Sequence, residues 1–275
     1  MENQPHNNPY QGEPKPPHDY QAPPPKPAGI SAGWIVAMVL GGVLVVSALM
    51  CLLLAALLVP AIQSARQAAG RAQSLNNLRM IGVAMHQYHA LHGTFPPAYT
   101  LDEKERRVAS WRTLILPYLE QQGLYDMIDT DKLWDDPTNA RARNVELSIF
   151  RSPRDDGSDP FMTNYLAITG EGAMLPGAAP TNMADIRDGT SNTIMVVEVF
   201  NSDIEWSEPR DLNIDDIRRV QDGADPDAIN VIPEGGAVLF GDGSVRLLKE
   251  SVTREMFQQY LTRDAGDMPQ RWPEY

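Results

Sequence analysis

The stretch from Trp34 to His92 decides the fold, and it reads WIVAMVLGGVLVVSALMCLLLAALLVPAIQSARQAAGRAQSLNNLRMIGVAMHQYHALH. Its first part, to Val59, consists almost entirely of Val, Leu, Ala, Met and Gly, and no charged side chain occurs between residues 27 and 65. About 20 such residues cross the hydrocarbon core of a bilayer as a helix. We therefore expect residues 31–60 to form one transmembrane helix, with Trp34 at an interface of the membrane.

A cleaved signal peptide is the main alternative for this segment. The apolar core of a signal peptide has only about 7 to 15 residues and follows a short basic start. Here the apolar run is longer and begins after a tail, which favours an uncleaved anchor. Basic residues do not decide the orientation, because Lys15 and Lys26 precede the span and Arg66, Arg71 and Arg79 follow it.

The segment before the span, residues 1–30, is rich in proline and poor in apolar side chains. Pro23-Pro24-Pro25-Lys26-Pro27 favours extended polyproline II. Such a composition buries too little apolar surface to offset the entropy of ordering, so a disordered spacer is expected. A ligand for proline-reading domains is the alternative.

The remainder, residues 61–275, is expected to form one acidic domain. The whole chain has a net charge of −13, and a protein that binds nucleic acid normally carries a basic patch that neutralises phosphates. Nucleic acid is therefore not expected as a partner. Cys51 is the one cysteine of the chain and lies within the span, so an intrachain disulfide is excluded.

Periodicity and turn residues predict an α+β layout for this domain. Apolar residues recur at three- and four-residue steps up to His92, which extends the membrane helix into a stalk from about Ser31 to about Leu91, straight or kinked at Pro60. Gly93 and the following prolines end that helix. The other expected elements are a helix at Trp111–Met127 interrupted by Pro117 and Gly123, strands at Tyr165–Thr169 and Thr193–Val199, a hairpin of Ala237–Phe240 and Val245–Leu248 around Asp242-Gly243, and a short helix within residues 252–262. The predicted fold is a long helix packed on a small antiparallel sheet.

Several motifs in a fixed order resemble a known family. The segment Leu57–Pro97 carries the first motif. The others are Ser110-Trp111-Arg112 through Leu116-Pro117-Tyr118-Leu119-Glu120-Gln121, Leu124-Tyr125, Trp134 with Asn139, Asp185 to Ile194, Glu198, Trp206 with Pro209, Asp211 and Leu212, and Phe240 to Val245. Together they resemble the bacterial pseudopilin-like family known as domain of unknown function 1559.

This resemblance implies an architecture like that of type IV pilins and type II secretion pseudopilins, in which a helical spine carries a sheet domain outside the cytoplasm. It implies a single-pass protein of the cytoplasmic membrane, with the N-terminal tail inside and residues 61–275 outside. Members often carry cysteines where Ser74 and Ser152 stand here. If that pair forms a disulfide in the family, Ser74 and Ser152 should lie close together.

Two departures from the family pattern bear on processing and on a polar site. Members commonly have a peptidase site that ends in glutamate, whereas residues 29–34 read GISAGW. Without that glutamate we expect an uncleaved chain that does not polymerise by the pilin route. The family also often has a histidine where Ile232 stands here.

Candidate sites are few. His86, His89 and His92 recur on the helix, but no cysteine is near them and the next carboxylate is Asp102, so polar packing is preferred to a zinc site. The loops around Gly157 and before residue 230 are rich in aspartate, and solvated loops are preferred to calcium sites because the EF-hand spacing is missing. Their acidic residues are Asp155, Asp156, Asp159, Asp215, Asp216, Asp222, Asp225 and Asp227.

Glu198 is the one carboxylate worth following as a base, although a glutamate in a strand more often satisfies backbone donors or pairs with an arginine. Trp111, Trp134 and Trp206 are expected to be packing residues. No motif of catalytic serine, phosphate-binding loop or metalloprotease is present. We therefore expect no catalytic, cofactor or metal residues and no cofactor.

The expected function is that of a non-catalytic, membrane-anchored structural or assembly protein of the bacterial envelope, with the bilayer and other envelope proteins as partners. The alternative is a membrane-tethered module that binds a glycan, a peptide or an ion. A deep pocket formed by Trp206, Glu198 and the acidic loops would favour the alternative, whereas a filled core and a bare helix would favour the first function.

Overall fold

The fold was obtained as a computed structural model that describes residue 29 and residues 31–155, 159–221, 235–249, 251–266, 269 and 272–273. The chain divides into two compact units, Met1–Val59 and Pro60–Tyr275. Apart from residue 29, the tail that is expected to be disordered lies outside the described residues, as does Ile232.

Helix α1, Ala32–His92, confirms the predicted long helix and contains Pro60 without interruption. Its part in the first unit is exposed throughout. An 18-residue window of α1 has a mean hydropathy of 2.9, and the helix is long and apolar enough to cross a membrane. The helix ends at Gly93, whose φ of +78° is a conformation that favours glycine.

In the second unit, one face of α1 is buried at three- and four-residue steps. Its large apolar members are Leu78, Ile81 and Met85. Gly82 lies on the edge of this face, and a Cβ atom there would be only 2.9 Å from Leu239 Cδ1. The helix can therefore approach the sheet closely because residue 82 has no side chain.

The main sheet has five strands in the order β5-β3-β4-β6-β7. They are β3 (Tyr165–Thr169), β4 (Ile194–Glu198), β5 (Leu212–Asn213), β6 (Ala237–Phe240) and β7 (Val245–Leu247). The predicted strands and hairpin are confirmed, and β3, β4, β6 and β7 pair in antiparallel fashion. The short edge strand β5 was not predicted, and it runs parallel to β3.

Each face of this sheet has its own hydrophobic cluster. Tyr165 and Ala167 point towards α1, whereas Leu166 and Ile168 point to the opposite side, as the alternation of side chains along a strand requires. The opposite side is covered by Phe257, Tyr260 and Trp272. Helix α6 (Arg254–Gln259), within the predicted region 252–262, belongs to this cover.

The single helix expected at Trp111–Met127 is wrong in its continuity. The segment forms α2 (Trp111–Leu114), a 3₁₀ turn (Leu116–Leu119) and α3 (Gln122–Tyr125). Pro117 opens the 3₁₀ turn, and Glu120 adopts a left-handed conformation with φ of 59°, which stops the turn before α3 begins. A hairpin of β1 (Tyr99–Leu101) and β2 (Arg107–Ser110), which was not predicted, precedes this segment.

The remaining helices are short. Helix α4 is Ala140–Arg143 and helix α5 is Ile214–Gln221.

Candidate functional site

Glu198 ends strand β4 beside Tyr165 of β3, and its side chain is buried. Oε1 accepts hydrogen bonds from the hydroxyls of Ser74 (2.7 Å) and Ser152 (2.5 Å). Oε2 accepts from the backbone N–H of Ala237 at 2.9 Å and lies 3.3 Å from a guanidinium nitrogen of Arg154. Both carboxylate oxygens are therefore engaged by groups of the protein itself.

The hydroxyl oxygens of Ser74 and Ser152 are 3.1 Å apart, and both residues are buried. The expected proximity of the two serines is thus confirmed. Together with Glu198 they form a clasp that joins helix α1, the loop after Phe150 and strand β4. We call Ser74, Ser152 and Glu198 the serine–glutamate clasp.

Asn77 and Tyr165 extend the clasp along the helix. The Asn77 side-chain amide donates to the carbonyls of Arg151 (3.0 Å) and Ser148 (3.3 Å) and contacts the Tyr165 hydroxyl at 3.4 Å. Burial, and secondarily the nearby Glu198 carboxylate, raise the pKa of Tyr165, so this phenol stays protonated. An open cleft of about 410 Å³ lies beside the cluster, lined in part by Asn77 and Ser152, and Glu198 is not among its lining residues. The glutamate is therefore a hydrogen-bond acceptor in a buried junction.

A second buried polar centre is the ion pair of Arg112 and Asp211, whose atoms approach to 2.6 Å with side chains 0% and 2% exposed. Asp211 Oδ1 also accepts from the Trp111 indole at 3.1 Å and from the Ala167 N–H at 2.9 Å. Burial raises the pKa of the Asp211 carboxyl, and the Arg112 guanidinium is the largest opposing influence. The pair holds α2 against the start of the segment that leads into β5.

The Arg112 guanidinium is further surrounded by backbone carbonyls. It donates to the carbonyls of Trp206 (2.9 Å), Glu208 (2.7 Å) and Arg210 (3.0 Å). This arrangement fixes the loop from Trp206 to Asp211. Arg112 and Asp211 are 99 positions apart in the sequence and thus meet in one hydrogen-bonded network.

Two of the three tryptophans are core residues, as expected. Trp111 packs edge-on against Phe150, and Trp206 stacks on the other side of Phe150. The Trp206 indole donates to the carbonyl of Val145 at 3.1 Å. Trp134 is only partly buried and carries the Arg143 guanidinium over its ring at 4.7 Å.

A small cavity lies between Trp134 and Trp206. Its volume of about 10 Å³ has room for roughly one water molecule. The Ser207 hydroxyl lines it and has no hydrogen-bond partner among the described residues. Glu198 does not line this cavity.

The three helix histidines all contact aromatic rings. His86 and His89 both pack against Phe95, whereas His92 stacks on Tyr88 and reaches the Tyr118 hydroxyl at 3.1 Å. Burial, and secondarily His89, lower the pKa of His86. Within the described ranges, no three His, Cys, Asp or Glu side chains are grouped so that they could hold a metal ion.

The acidic loops divide into described and undescribed parts. Asp155 is buried, which differs from the expected solvated loop, and its carboxylate accepts from the Asn164 amide (2.7 Å) and the Asn201 N–H (2.9 Å). Asp159 accepts from the N–H of Phe161 at 3.0 Å. Asp215 and Asp216 lie in the first turn of α5, where carboxylates are favoured by the helix dipole. Asp156, Gly157, Asp222, Asp225 and Asp227 lie outside the described residues.

Asn164 was not singled out from the sequence, although it connects several of these groups. It accepts from the Ser152 N–H at 2.8 Å and donates to Asp155 and to the Val199 carbonyl. Its position directly before a strongly apolar strand is the one feature of the sequence that could have pointed to this role of Asn164.

These features define an α+β protein with an apolar N-terminal helix and a second unit whose polar motif residues form buried structural networks. The sequence profile of the family described as "Protein of unknown function (DUF1559)" matches residues 63–228, which include the clasp and the Arg112–Asp211 pair. The chain belongs to this family. No curated protein and no solved structure matches it.

Proposed function

We propose that this chain is a membrane-anchored envelope protein whose outer domain is a non-catalytic, pseudopilin-like structural or assembly module. The observation that carries the proposal is the helix segment Trp34–Val59, which is apolar, uncharged and exposed over its whole length. Exposure of so many large apolar side chains is stable in a bilayer but not in water.

The non-catalytic role is supported by the state of the polar residues in the outer domain. Glu198 accepts hydrogen bonds from the hydroxyls of Ser74 and Ser152. Asp211 accepts hydrogen bonds from the side chains of Arg112 and Trp111 and from the N–H of Ala167. A general base must be able to reach a proton of the substrate. Buried carboxylates that are already engaged by the protein itself are poorly suited to that role.

We further propose that the anchor lies in the cytoplasmic membrane, with the tail inside and residues 61–275 outside, and that lipid and other envelope proteins are the partners. Membrane fractionation combined with protease treatment of intact spheroplasts tests this arrangement. We expect the chain in the membrane fraction, resistant to carbonate extraction, and cleaved from outside at residues beyond 61. Recovery in the soluble fraction, or protection of the outer domain in intact spheroplasts, would contradict the proposal.

We also propose that the tail is retained. A buried carboxylate near a mature N-terminus stabilises pilin-like assemblies only when a partner charge compensates it, and residues 27–65 offer no such carboxylate. The intact mass of the purified membrane protein should correspond to the full chain. A loss of about the first 29 residues would show that a pilin-type peptidase cleaves it.

A further inference from the structure

Exposed apolar side chains of the second unit are concentrated on helix α1. Ile62, Met80, Val83 and Leu91 of the helix are 46% to 74% exposed. Elsewhere in the described part of this unit, the large apolar side chains with comparable exposure are Leu101, Met127 and Met183. A helix of a filled domain thus keeps a set of apolar side chains in contact with solvent.

These helix residues share one face. Steps of three and four residues separate Met80, Val83, Gln87 and Leu91, and Ile62 lies five turns before Met80. The side chains of all five therefore leave the helix within an arc of about 80° around its axis. The buried residues Leu78, Ile81 and Met85 lie on the other side. We call the exposed set the outer stripe, and its members are Ile62, Ala69, Asn76, Met80, Val83, Gln87 and Leu91. It is about 44 Å long and contains no charged residue.

On helix α1 itself, Arg66 and Arg79 flank the stripe, and the Asp242 carboxylate of the turn between β6 and β7 lines the groove beside Val83 and Gln87. Residues 61–92 carry Arg66, Arg71 and Arg79 and no carboxylate, whereas residues 93–275 carry 33 acidic and 18 basic side chains. All three arginines are exposed, and none lies within 4 Å of a carboxylate of the described residues. Helix α1, which carries the exposed stripe, therefore keeps its three arginines without an ion-pair partner among the described residues.

The pattern restricts what can cover the stripe. A long, straight apolar stripe fits another helix, as in the packing of ridges into grooves. Two copies of this stripe packed in parallel would place arginines at the same height, where like charges repel. Lipid head groups form a layer of only about 5 to 8 Å on each side of the hydrocarbon core, whereas Arg79 lies 19 residues beyond Pro60, about 28 Å along the helix.

We propose that the outer stripe binds an amphipathic helix of a different envelope protein, whose apolar face is flanked by Asp and Glu. This inference rests on the proposed membrane-anchored function and specifies the chemistry of its partner. The apolar stripe supplies the contact area, and Arg66 and Arg79, on opposite flanks, select for carboxylates.

The test uses the full chain in its native membrane. A photoreactive amino acid replaces Val83, and a second variant carries the same group at Met127, which is 40% exposed and is not part of α1. After illumination, the cross-linked peptides are sequenced by mass spectrometry. We expect an adduct at position 83, and not at position 127, with a segment of another protein that has helical periodicity and net negative charge.

Charge reversal then tests the selectivity. Arg66→Glu together with Arg79→Glu should reduce the adduct at position 83 by roughly ten-fold or more, since like charges across an interface oppose binding. Basic substitutions in the captured acidic segment should restore it. An adduct between two copies, adducts with lipid alone, equal labelling at position 127, or no adduct would each overturn the inference. Membrane fractionation of the same samples reports separately on the proposed anchoring.

Discussion

Replacement of Asp211 by alanine is the most informative perturbation of the buried networks. The substitution removes the carboxylate that pairs with Arg112 in a site where both side chains are almost fully buried. It also removes the acceptor for the Trp111 indole and the Ala167 N–H. The guanidinium keeps its backbone carbonyls, but its charge has no counter-ion.

The expected cost follows from these contacts. Breaking a buried ion pair by removing one partner costs about 3 to 5 kcal/mol. A domain has a total stability of about 5 to 15 kcal/mol, so the Asp211→Ala protein should lose a large fraction of its stability. Asp211→Asn, which keeps an oxygen acceptor, should cost less. The matched control is Asp203→Ala, since this carboxylate is 72% exposed beside Arg210 and such surface pairs contribute at most about 1 kcal/mol.

Urea unfolding of the detergent-solubilised full chain measures these effects through tryptophan fluorescence. Trp111 lies against the pair and reports directly on its disruption. Combining Asp211→Ala with Arg112→Met should recover part of the loss, because no buried charge then remains uncompensated. The reasoning is refuted if Asp211→Ala destabilises the protein no more than Asp203→Ala does.

Four further predictions concern the packing around helix α1. The double variant Ser74→Cys, Ser152→Cys should form a disulfide when it is produced in cells, and the disulfide should change the electrophoretic mobility of the protein in the absence of reductant. The two cysteines should stay reduced if the domain faces the cytoplasm. Glu198→Ala should lower the free energy of unfolding by roughly 3 kcal/mol, because four donors lose their acceptor, and an unchanged urea midpoint would disprove this role. Burial lowers the pKa of His86 in the folded state, so its contribution to the free energy of unfolding should be complete above the unfolded pKa of about 6.5 and should decrease as the pH falls below that value. The thermal midpoint of His86→Gln should therefore depend less on pH than that of the wild type. Gly82→Val should cost about 1 to 3 kcal/mol in urea unfolding, since its side chain would collide with the sheet, whereas equal stability would show that the helix can shift.

The architecture was accessible from the sequence where a pattern was long or chemically specific. The apolar run ending at Val59 and the periodic residues up to His92 predict α1, and Asp242-Gly243 predicts the hairpin of β6 and β7. Strand β5 was missed because two residues carry no periodicity. Its position depends on the side chain of Asp211, which bonds to strand β3 and cannot be inferred from local pattern.

The polar networks were only partly predictable for a similar reason. Family likeness pointed to the contact of Ser74 and Ser152, but composition and spacing did not indicate that Glu198 is the acceptor of both hydroxyls. Likewise Arg112 stands in the apolar segment WRTLILPYL, a place where a charge requires a partner. Nothing local identifies that partner as Asp211, since the two residues meet only after the whole domain has folded.

The long sequence separations in the serine–glutamate clasp also affect the order in which the domain can fold during synthesis. Ser74 contacts residues 78 and 124 positions later, and Leu239 of the strand under Gly82 comes later still. At a synthesis rate of about 5 to 20 residues per second, the inner face of the helix waits roughly 8 to 30 s before β6 exists to cover it. Helix α1 is thus synthesised early and covered late, so its inner face has no strand β6 to pack against until the C-terminal third of the chain has been synthesised.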